Sequence, residues 1–196
     1  MLRLPVTILS IWVLATIMPL LLRAKELSID LNPAKTKIVF VLSATFHIVH
    51  GTFDITEGHL LFDPSTGAMK GDIVVNAASG NSGNGMRDRR MTREVLQAQR
   101  FPQIRFAPDA YSGTITANGA SNIDVHGVLM IHGQAHKITL PMQVRMSHDE
   151  VTAKGKLVVP YVKWGMKNPS RLFLKVSKNV ELDITAVGRI APASVP

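Results

Sequence analysis

Alternation of apolar and polar residues with a period of two dominates the chain from Leu27 onward. In residues 137–145 every even position is apolar and most odd positions are polar, and residues 123–131, 151–159 and 180–186 show similar alternation. A period of two places successive side chains on opposite faces of a β-strand, so these runs predict strands with one buried and one solvated face.

Turn-forming residues separate these runs at short intervals. They are Asn32-Pro33, residues 63–67, Asn118-Gly119, His132-Gly133-Gln134, residues 147–149 and Asn168-Pro169. Asn-Gly is typical of a type I′ hairpin, because both residues accept positive φ. Short strands joined by such turns indicate an antiparallel sandwich or barrel, whereas a doubly wound sheet would need a helix after most strands. No repeat or second domain is visible.

One segment departs from this period. Met91, Val95 and Ala98 recur at helical spacing and predict a helix over residues 86–99, which Phe101-Pro102 ends. A glycine-rich loop, residues 79–85 (SGNSGNG), precedes it. Such a loop can bind phosphate through its N–H groups, but its spacing is not G-x-G-x-x-G and no G-K-[ST] follows. We favour a flexible loop across the mouth of a barrel over a phosphate site.

The N-terminal residues are typical of an export signal. Arg3 is followed by the uncharged apolar run Leu4–Leu22, so residues 1–24 are predicted to be a signal peptide, or an uncleaved membrane anchor because the run is long enough to span a bilayer. Residues 25–196 would form one domain. We expect the protein to be exported from the cytoplasm, and to be anchored in the membrane if residues 1–24 are retained.

Charge and cysteine content restrict the kinds of partner and of chemistry that the protein can have. The net charge is +8, and without Arg3 and Arg23 the balance is 20 basic to 14 acidic residues, or +6. A basic surplus favours anionic lipids or ligands. No nucleic-acid-binding motif is present, so we expect no nucleic-acid partner. The absence of cysteine excludes disulfides, thiolate metal sites and a cysteine nucleophile.

Histidines and arginines are the candidates for chemistry. His47 and His50, and His132 and His136, have spacings that suit a metal on a helix, but both pairs fall in strand or turn context. We predict no metal ligand and no catalytic residue, and no nucleophile motif is present. Four arginines of the predicted helix lie within seven residues, at 87, 89, 90 and 93. They could bind a lipid phosphate, although a solvated helix face with Asp88 and Glu94 as partners is the commoner arrangement.

The inward faces of the strands predict an apolar interior. A small barrel either fills such an interior with side chains or holds one ligand there, and periodicity does not distinguish the two. The residues expected to line it are Phe53, Ile55, Leu60, Phe62, Ile73, Val75, Ile104, Phe106, Val125, Leu129, Ile131, Ile138, Leu140, Met142, Val144, Leu157, Val159, Leu182 and Ile184.

A series of motifs follows in order between Leu27 and Ile190. They are residues 49–53 (VHGTF), 58–64 (GHLLFDP), Asn84 with Arg87-Asp88, 101–106 (FPQIRF), 127–133 (GVLMIHG) with 137–141 (KITLP), 164–166 (WGM) and 180–182 (VEL). With these motifs the chain resembles the YceI-like, polyisoprenoid-binding family. The run from Gly127 to Pro141 is the most specific match. Arg90-Met91 stands where the family often has His-Leu, a departure that bears on headgroup preference.

The resemblance implies an all-β fold: an extended antiparallel lipocalin-like β-barrel of about eight strands, with one short α-helix after the glycine-rich loop. It implies a binding protein rather than an enzyme, with no cofactor other than a non-covalent isoprenoid lipid. An isoprenoid quinone or prenyl phosphate would lie along the apolar residues above, as in a periplasmic carrier or buffer. Arg87, Asp88 and Arg90 would meet its headgroup at the mouth.

Two other functions stay open from the sequence. One is a metal-dependent hydrolase that uses the histidines, and the other is an envelope stress or structural protein with a closed core. Membrane contact would be transient at most, and a homodimer is among the open oligomeric states.

Overall fold

The computed structural model of the chain describes residues 26–116, 118–170 and 175–193. The predicted signal peptide or anchor, residues 1–24, lies outside this range. Among the described residues, no helix has the length and apolar character needed to cross a membrane.

Ten antiparallel strand segments make up most of the structure. They are β1 (Leu27–Leu31), β2 (Lys37–Ala44), β3 (His47–Phe53), β4 (Ile55–Phe62), β5 (Met69–Asn76), β6 (Gln103–Gly113), β7 (Gly119–Ile131), β8 (Gln134–Ser147), β9 (Glu150–Val159) and β10 (Val180–Pro192).

Eight of these segments close into a barrel. The strand order runs from β1 to β4 and on in sequence from β5 to β10, and β10 pairs back with β1. Residues Gly188–Pro192 of β10 bond to β1, whereas Glu181–Thr185 bond to β2. Thus β1 and β2 behave as one interrupted strand, paired with the similarly interrupted β3 and β4. The predicted all-β, eight-stranded antiparallel barrel is confirmed.

The longest strands show the predicted alternation. Ile123, Val125, Leu129 and Ile131 of β7 are buried and their neighbours are more exposed. Leu140 of β8 is buried directly opposite Val125. Apolar faces of adjacent strands therefore meet inside the barrel, as the period of two requires.

The helix predicted over residues 86–99 is shorter in the structure. An α-helix, α1, covers Gly85–Arg90, and a π-helical turn follows at Met91–Val95. The Leu96 N–H donates to the Met91 carbonyl five residues back, and Gln97 has a φ of 49°. This left-handed residue ends the helical backbone, so the predicted continuation to residue 99 is wrong.

The glycine-rich loop extends the edge of β3. Thr52 and Asn81 exchange two backbone hydrogen bonds of 2.8 and 3.0 Å. At Gly80 a Cβ would lie 2.3 Å from Met91 Cε and 2.9 Å from the Phe53 ring, so a larger residue would have to displace these two side chains. The loop therefore positions α1 beside the open edge of β3.

The tight β-turn occurs at a different place from the one the Asn-Gly signal predicts. Residues 114–118 connect β6 to β7, so the two-residue type I′ turn predicted at Asn118-Gly119 is wrong. Both central residues have positive φ instead at His132-Gly133, with angles of 52° and 73°, in the β7–β8 turn. Asn118-Gly119 could form such a turn, but the pairing of β6 with β7 stops at Ile123 and does not reach these two residues.

Candidate functional site

A cavity of about 930 Å³ occupies the barrel interior. Every strand contributes to its wall, and almost all of the lining side chains are apolar. The volume is near the upper end of the range of about 300–1,000 Å³ for small-molecule pockets. A closed core would have filled this space with side chains at crystalline packing density.

The structure places eighteen of the nineteen predicted interior residues on the cavity wall. They are Phe53, Leu60, Phe62, Ile73, Val75, Ile104, Phe106, Val125, Leu129, Ile131, Ile138, Leu140, Met142, Val144, Leu157, Val159, Leu182 and Ile184. Their contact with a lipid stays a prediction.

Ile55 is the exception. It is buried but does not line the cavity, so its predicted place in the pocket is corrected. A β-bulge shifts the β4–β5 register between Ile55 and Glu57. The extra residue puts odd-numbered Ile55 opposite Val75, on the same face of the sheet as even-numbered Leu60 and Phe62. The direction of the strand therefore does not account for its absence from the cavity wall.

Sequence reasoning missed the contribution of β2. Ile38, Phe40 and Leu42 line the cavity, but Val39 and Val41 between them are also apolar, so alternation does not reveal which face is inward. Gly51 on β3 is a signal that could have found Phe40. A Cβ at Gly51 would lie 2.3 Å from Phe40 Cζ, so the glycine makes room for that buried ring.

Among the described residues, charged side chains line one end of the cavity, which we call the mouth. Besides His47, the charged lining residues are Arg87, Arg89, Arg90, Arg93 and Glu94, all on α1 or the π-helical turn. The two lining tyrosines are already bonded: the Tyr161 hydroxyl donates to the Ser177 carbonyl at 2.6 Å, and that of Tyr111 lies 3.5 Å from the Pro64 carbonyl.

Three segments surround the mouth. They are the tip of the β2–β3 hairpin, α1 with the π-helical turn, and the described residues between 167 and 176. Ala44 pairs with Val176 in an isolated bridge, which holds the third segment to the hairpin. Lys167 Nζ donates to Glu94 Oε2 at 2.7 Å, which holds the same segment to the π-helical turn.

Ser82 fixes the two residues of the Arg-Asp motif. Arg87 Nε donates to Ser82 Oγ at 2.7 Å and Arg87 Nη2 to the Ser82 carbonyl at 2.9 Å. The Ser82 amide donates to Asp88 Oδ1 at 2.9 Å, and the Ser82 hydroxyl bonds the same oxygen. Asp88 does not line the cavity, so its predicted headgroup contact is corrected to a role in holding the loop against α1.

Arg90 presents an unused donor at the mouth. Its Nε is buried and has no hydrogen-bond partner; Glu94 Oε2 is 3.6 Å away. The hydrogen bond from Lys167, followed by the charges of Lys167 and Arg90, keeps the pKa of Glu94 below its usual value. Glu94 is therefore charged at neutral pH but is bonded mainly to Lys167. A buried N–H without an acceptor is costly, and a ligand oxygen would satisfy it.

His132 and His136, one of the two histidine pairs whose spacing suits a metal, are used in aromatic contacts. His136 stacks on Trp164 with ring centroids 3.9 Å apart, and His132 packs on Phe101 at 4.9 Å. Burial lowers the pKa of His136. Within residues 26–116, 118–170 and 175–193, no three His, Asp or Glu side chains come together as metal ligands, so nothing there supports the hydrolase alternative.

The fold and the cavity define a closed antiparallel β-barrel with an apolar interior cavity. The model of the YceI-like domain family matches residues 30–187, and the chain belongs to that family. No curated protein matches the chain in sequence.

Solved structures share the barrel at low identity. BcnA of Burkholderia cenocepacia is 20% identical with a TM-score of 0.65, over 81% of this chain and 99% of that one. A polyisoprenoid-binding domain from Saccharophagus degradans is 16% identical with a TM-score of 0.65, over 83% and 98%. The YCEI protein of Campylobacter jejuni is 17% identical with a TM-score of 0.53, over 95% and 91%. At these identities the likeness shows the fold.

Proposed function

We propose that the protein binds an amphiphilic isoprenoid lipid, an isoprenoid quinone or a prenyl phosphate, inside the barrel. It would act as a carrier or buffer in the periplasm and would catalyse no reaction. Membership of the YceI-like family supports the proposal, and the similar Saccharophagus structure is described as a polyisoprenoid-binding domain.

The shape of the interior suits a long chain. β7 has 13 residues, which at about 3.3 Å per residue and a tilt of about 40° gives a barrel roughly 30 Å tall. Cavity-lining residues extend from Met146 and Ile115 at one end to Val95 and Leu96 at the other. An extended polyisoprenoid tail could follow this length, and burial would stabilise it by about 25 cal/mol per Å² of apolar surface.

The proposal is supported most strongly by one observation: the long apolar cavity ends at a mouth that is lined with arginines. An apolar tail alone would need no arginine, and an anion alone would need no apolar chamber. The unused Nε of Arg90, beside three other arginines, can donate to a phosphate or quinone oxygen while the tail lies below. A lipid with an oxygen-rich headgroup satisfies both ends of the site.

Titration of the lipid-free protein tests this function. A prenyl phosphate, the prenyl alcohol with the same tail, an isoprenoid quinone and a straight-chain fatty acid are compared. We expect the isoprenoid chains to bind, and the phosphate to bind more tightly than the alcohol because only the phosphate pairs with the arginines. Failure of every isoprenoid to bind would reject the proposal.

A further inference from the structure

The rim of the mouth exposes apolar side chains that the barrel does not bury. Phe46 is 83% exposed, Met86 74% and Ile48 60%. Phe46 lies between the cavity-lining residues Ala44 and His47, and Met86 lines the cavity from α1. Ile48 is next along β3, on the outer face of the hairpin. The three side chains, which we call the apolar rim, therefore lie at the mouth end of the barrel. Isolated exposed residues are ordinary, but a cluster at an opening indicates an interaction site.

Positive charge accompanies the apolar rim. Arg89 and Arg93 are exposed and form no ion pair with any residue that the structure describes. Lys175 is also exposed. It lies near Phe46, because its main chain is hydrogen-bonded to the preceding residue, Thr45, at 2.9–3.0 Å. The nearby carboxylates are engaged, that of Asp88 by Ser82 and that of Glu94 by Lys167. The mouth thus combines an apolar tip with uncompensated basic residues.

We infer that the apolar rim docks on an anionic lipid bilayer, with the hairpin tip and Met86 inserted among the lipids and the arginines on the phosphates. Membrane-surface elements combine apolar and basic side chains in this way, because each contributes separately to binding. A second copy of the chain fits less well, since a two-fold contact would bring the same arginines together. The inference rests on the proposed function, because docking would let a lipid pass between the bilayer and the cavity without crossing water.

The chain is well suited to a test because it contains no cysteine. Ile48→Cys places a polarity-sensitive fluorophore in the rim, and Thr114→Cys places the same label at the far end of the barrel, in the β6–β7 connection. The protein as isolated from its host is mixed with phosphatidylcholine vesicles that contain brominated acyl chains, with or without phosphatidylglycerol. Bromine quenches only a label that reaches the acyl chains.

We expect quenching and a blue shift at position 48, but not at position 114, and only with phosphatidylglycerol present. Arg89→Gln and Arg93→Gln should each weaken vesicle binding about fivefold, and Phe46→Ser should remove the quenching. These side chains are exposed, so circular dichroism should show an unchanged fold.

Two results would overturn the docking. One is equal quenching, or none, at both positions. The other is a fluorescence change at position 48 that follows protein concentration without vesicles, which would assign the rim to a second copy. Lipid content, measured by extraction from the same sample, keeps the two proposals apart. Retained isoprenoid without docking would reject only the docking, and a protein that carries no isoprenoid and takes up none when isoprenoids are added would reject the proposed function.

Discussion

The two halves of the barrel interior are built from different kinds of structure. In the far half, long regular strands pack Phe62, Leu140 and Met142 against other apolar side chains. In the mouth half, the strand residues Leu129, Ile131 and Val159 pack with Val95 and Leu96, which come from the end of the π-helical turn, and the lining arginines come from α1 and the same turn. The far half is built from strands with an apolar lining, whereas the mouth half adds a helix, a π-helical turn and loops to the strand ends.

The difference follows from strand geometry. Regular alternation presents one apolar set of side chains to the interior, and a charge in that set would lose its hydration without a partner. Irregular segments at a barrel end can present a charged side chain to the cavity and to water together. Under the proposed function, the lipid tail would therefore lie in the far half and the headgroup in the mouth half.

The largest effect should come from a charge in the far half. Leu140 is buried and lines the cavity, so Leu140→Glu should destabilise the fold by at least about 3 kcal/mol or abolish lipid binding. Denaturant unfolding and extraction of bound lipid measure the two results. Gln143→Glu, on the exposed outer face of the same strand, is the control and should change stability by less than about 0.5 kcal/mol. Equal effects of the two variants would contradict the assignment of faces.

A substitution at the mouth should have a smaller effect, which concerns only the affinity for the ligand. Arg90→Gln removes the buried donor from the headgroup site and should weaken prenyl phosphate binding by about 1.5–3 kcal/mol, or roughly tenfold to a hundredfold. Affinity for the prenyl alcohol should change much less. The control is Arg145→Gln, on the exposed outer face of β8. If both ligands lost the same affinity, Arg90 would be shaping the cavity rather than binding the headgroup.

Truncation of valine should separate packed positions from cavity-lining ones. Val74 is 2% exposed and does not line the cavity, so Val74→Ala should cost about 2 kcal/mol of unfolding free energy. Val125 borders the cavity, and Val125→Ala in lipid-free protein should cost about 1 kcal/mol or less, because fewer contacts are lost. Urea denaturation compares the variants. Equal costs would indicate that the interior is filled.

The smallest effect concerns pH at the mouth half. Because burial holds the pKa of His136 below 6.5, the unfolded chain takes up this proton before the folded chain does. Stability should therefore decline as pH falls below 6.5 toward the lower pKa of the folded state. His136→Phe keeps a ring against Trp164 and should reduce this decline, measured by urea midpoints above and below pH 6.5. An unchanged decline would assign it to other groups.

Sequence reasoning succeeded where one physical rule dominated. In β7 and β8 one face meets water and the other the cavity, so alternation alone assigned Val125, Leu129 and Leu140 to the interior. It failed in β2, where both faces are apolar, and at Ile55, which is buried without bordering the cavity. Packing between segments that are distant in sequence decides both cases, and no local pattern records it.

The sequence predicted only part of the structure of the mouth, for a related reason. Helical spacing located Arg87 and Arg90 near one another, but not the hydrogen bonds to Ser82 that turn Asp88 toward the loop. Nor could periodicity predict that Gln97 takes a left-handed conformation and ends the helical backbone. These details depend on how the glycine-rich loop pairs with β3, a contact between segments that are distant in sequence.

Mass spectrometry of the protein isolated from its own host tests the central claim most directly. Organic extraction of the intact protein should release a polyisoprenoid lipid with a quinone or phosphate headgroup, and the same preparation of Leu140→Glu should release little or none. A folded wild-type protein that carries no lipid, and takes up none when isoprenoids are added, would contradict the account.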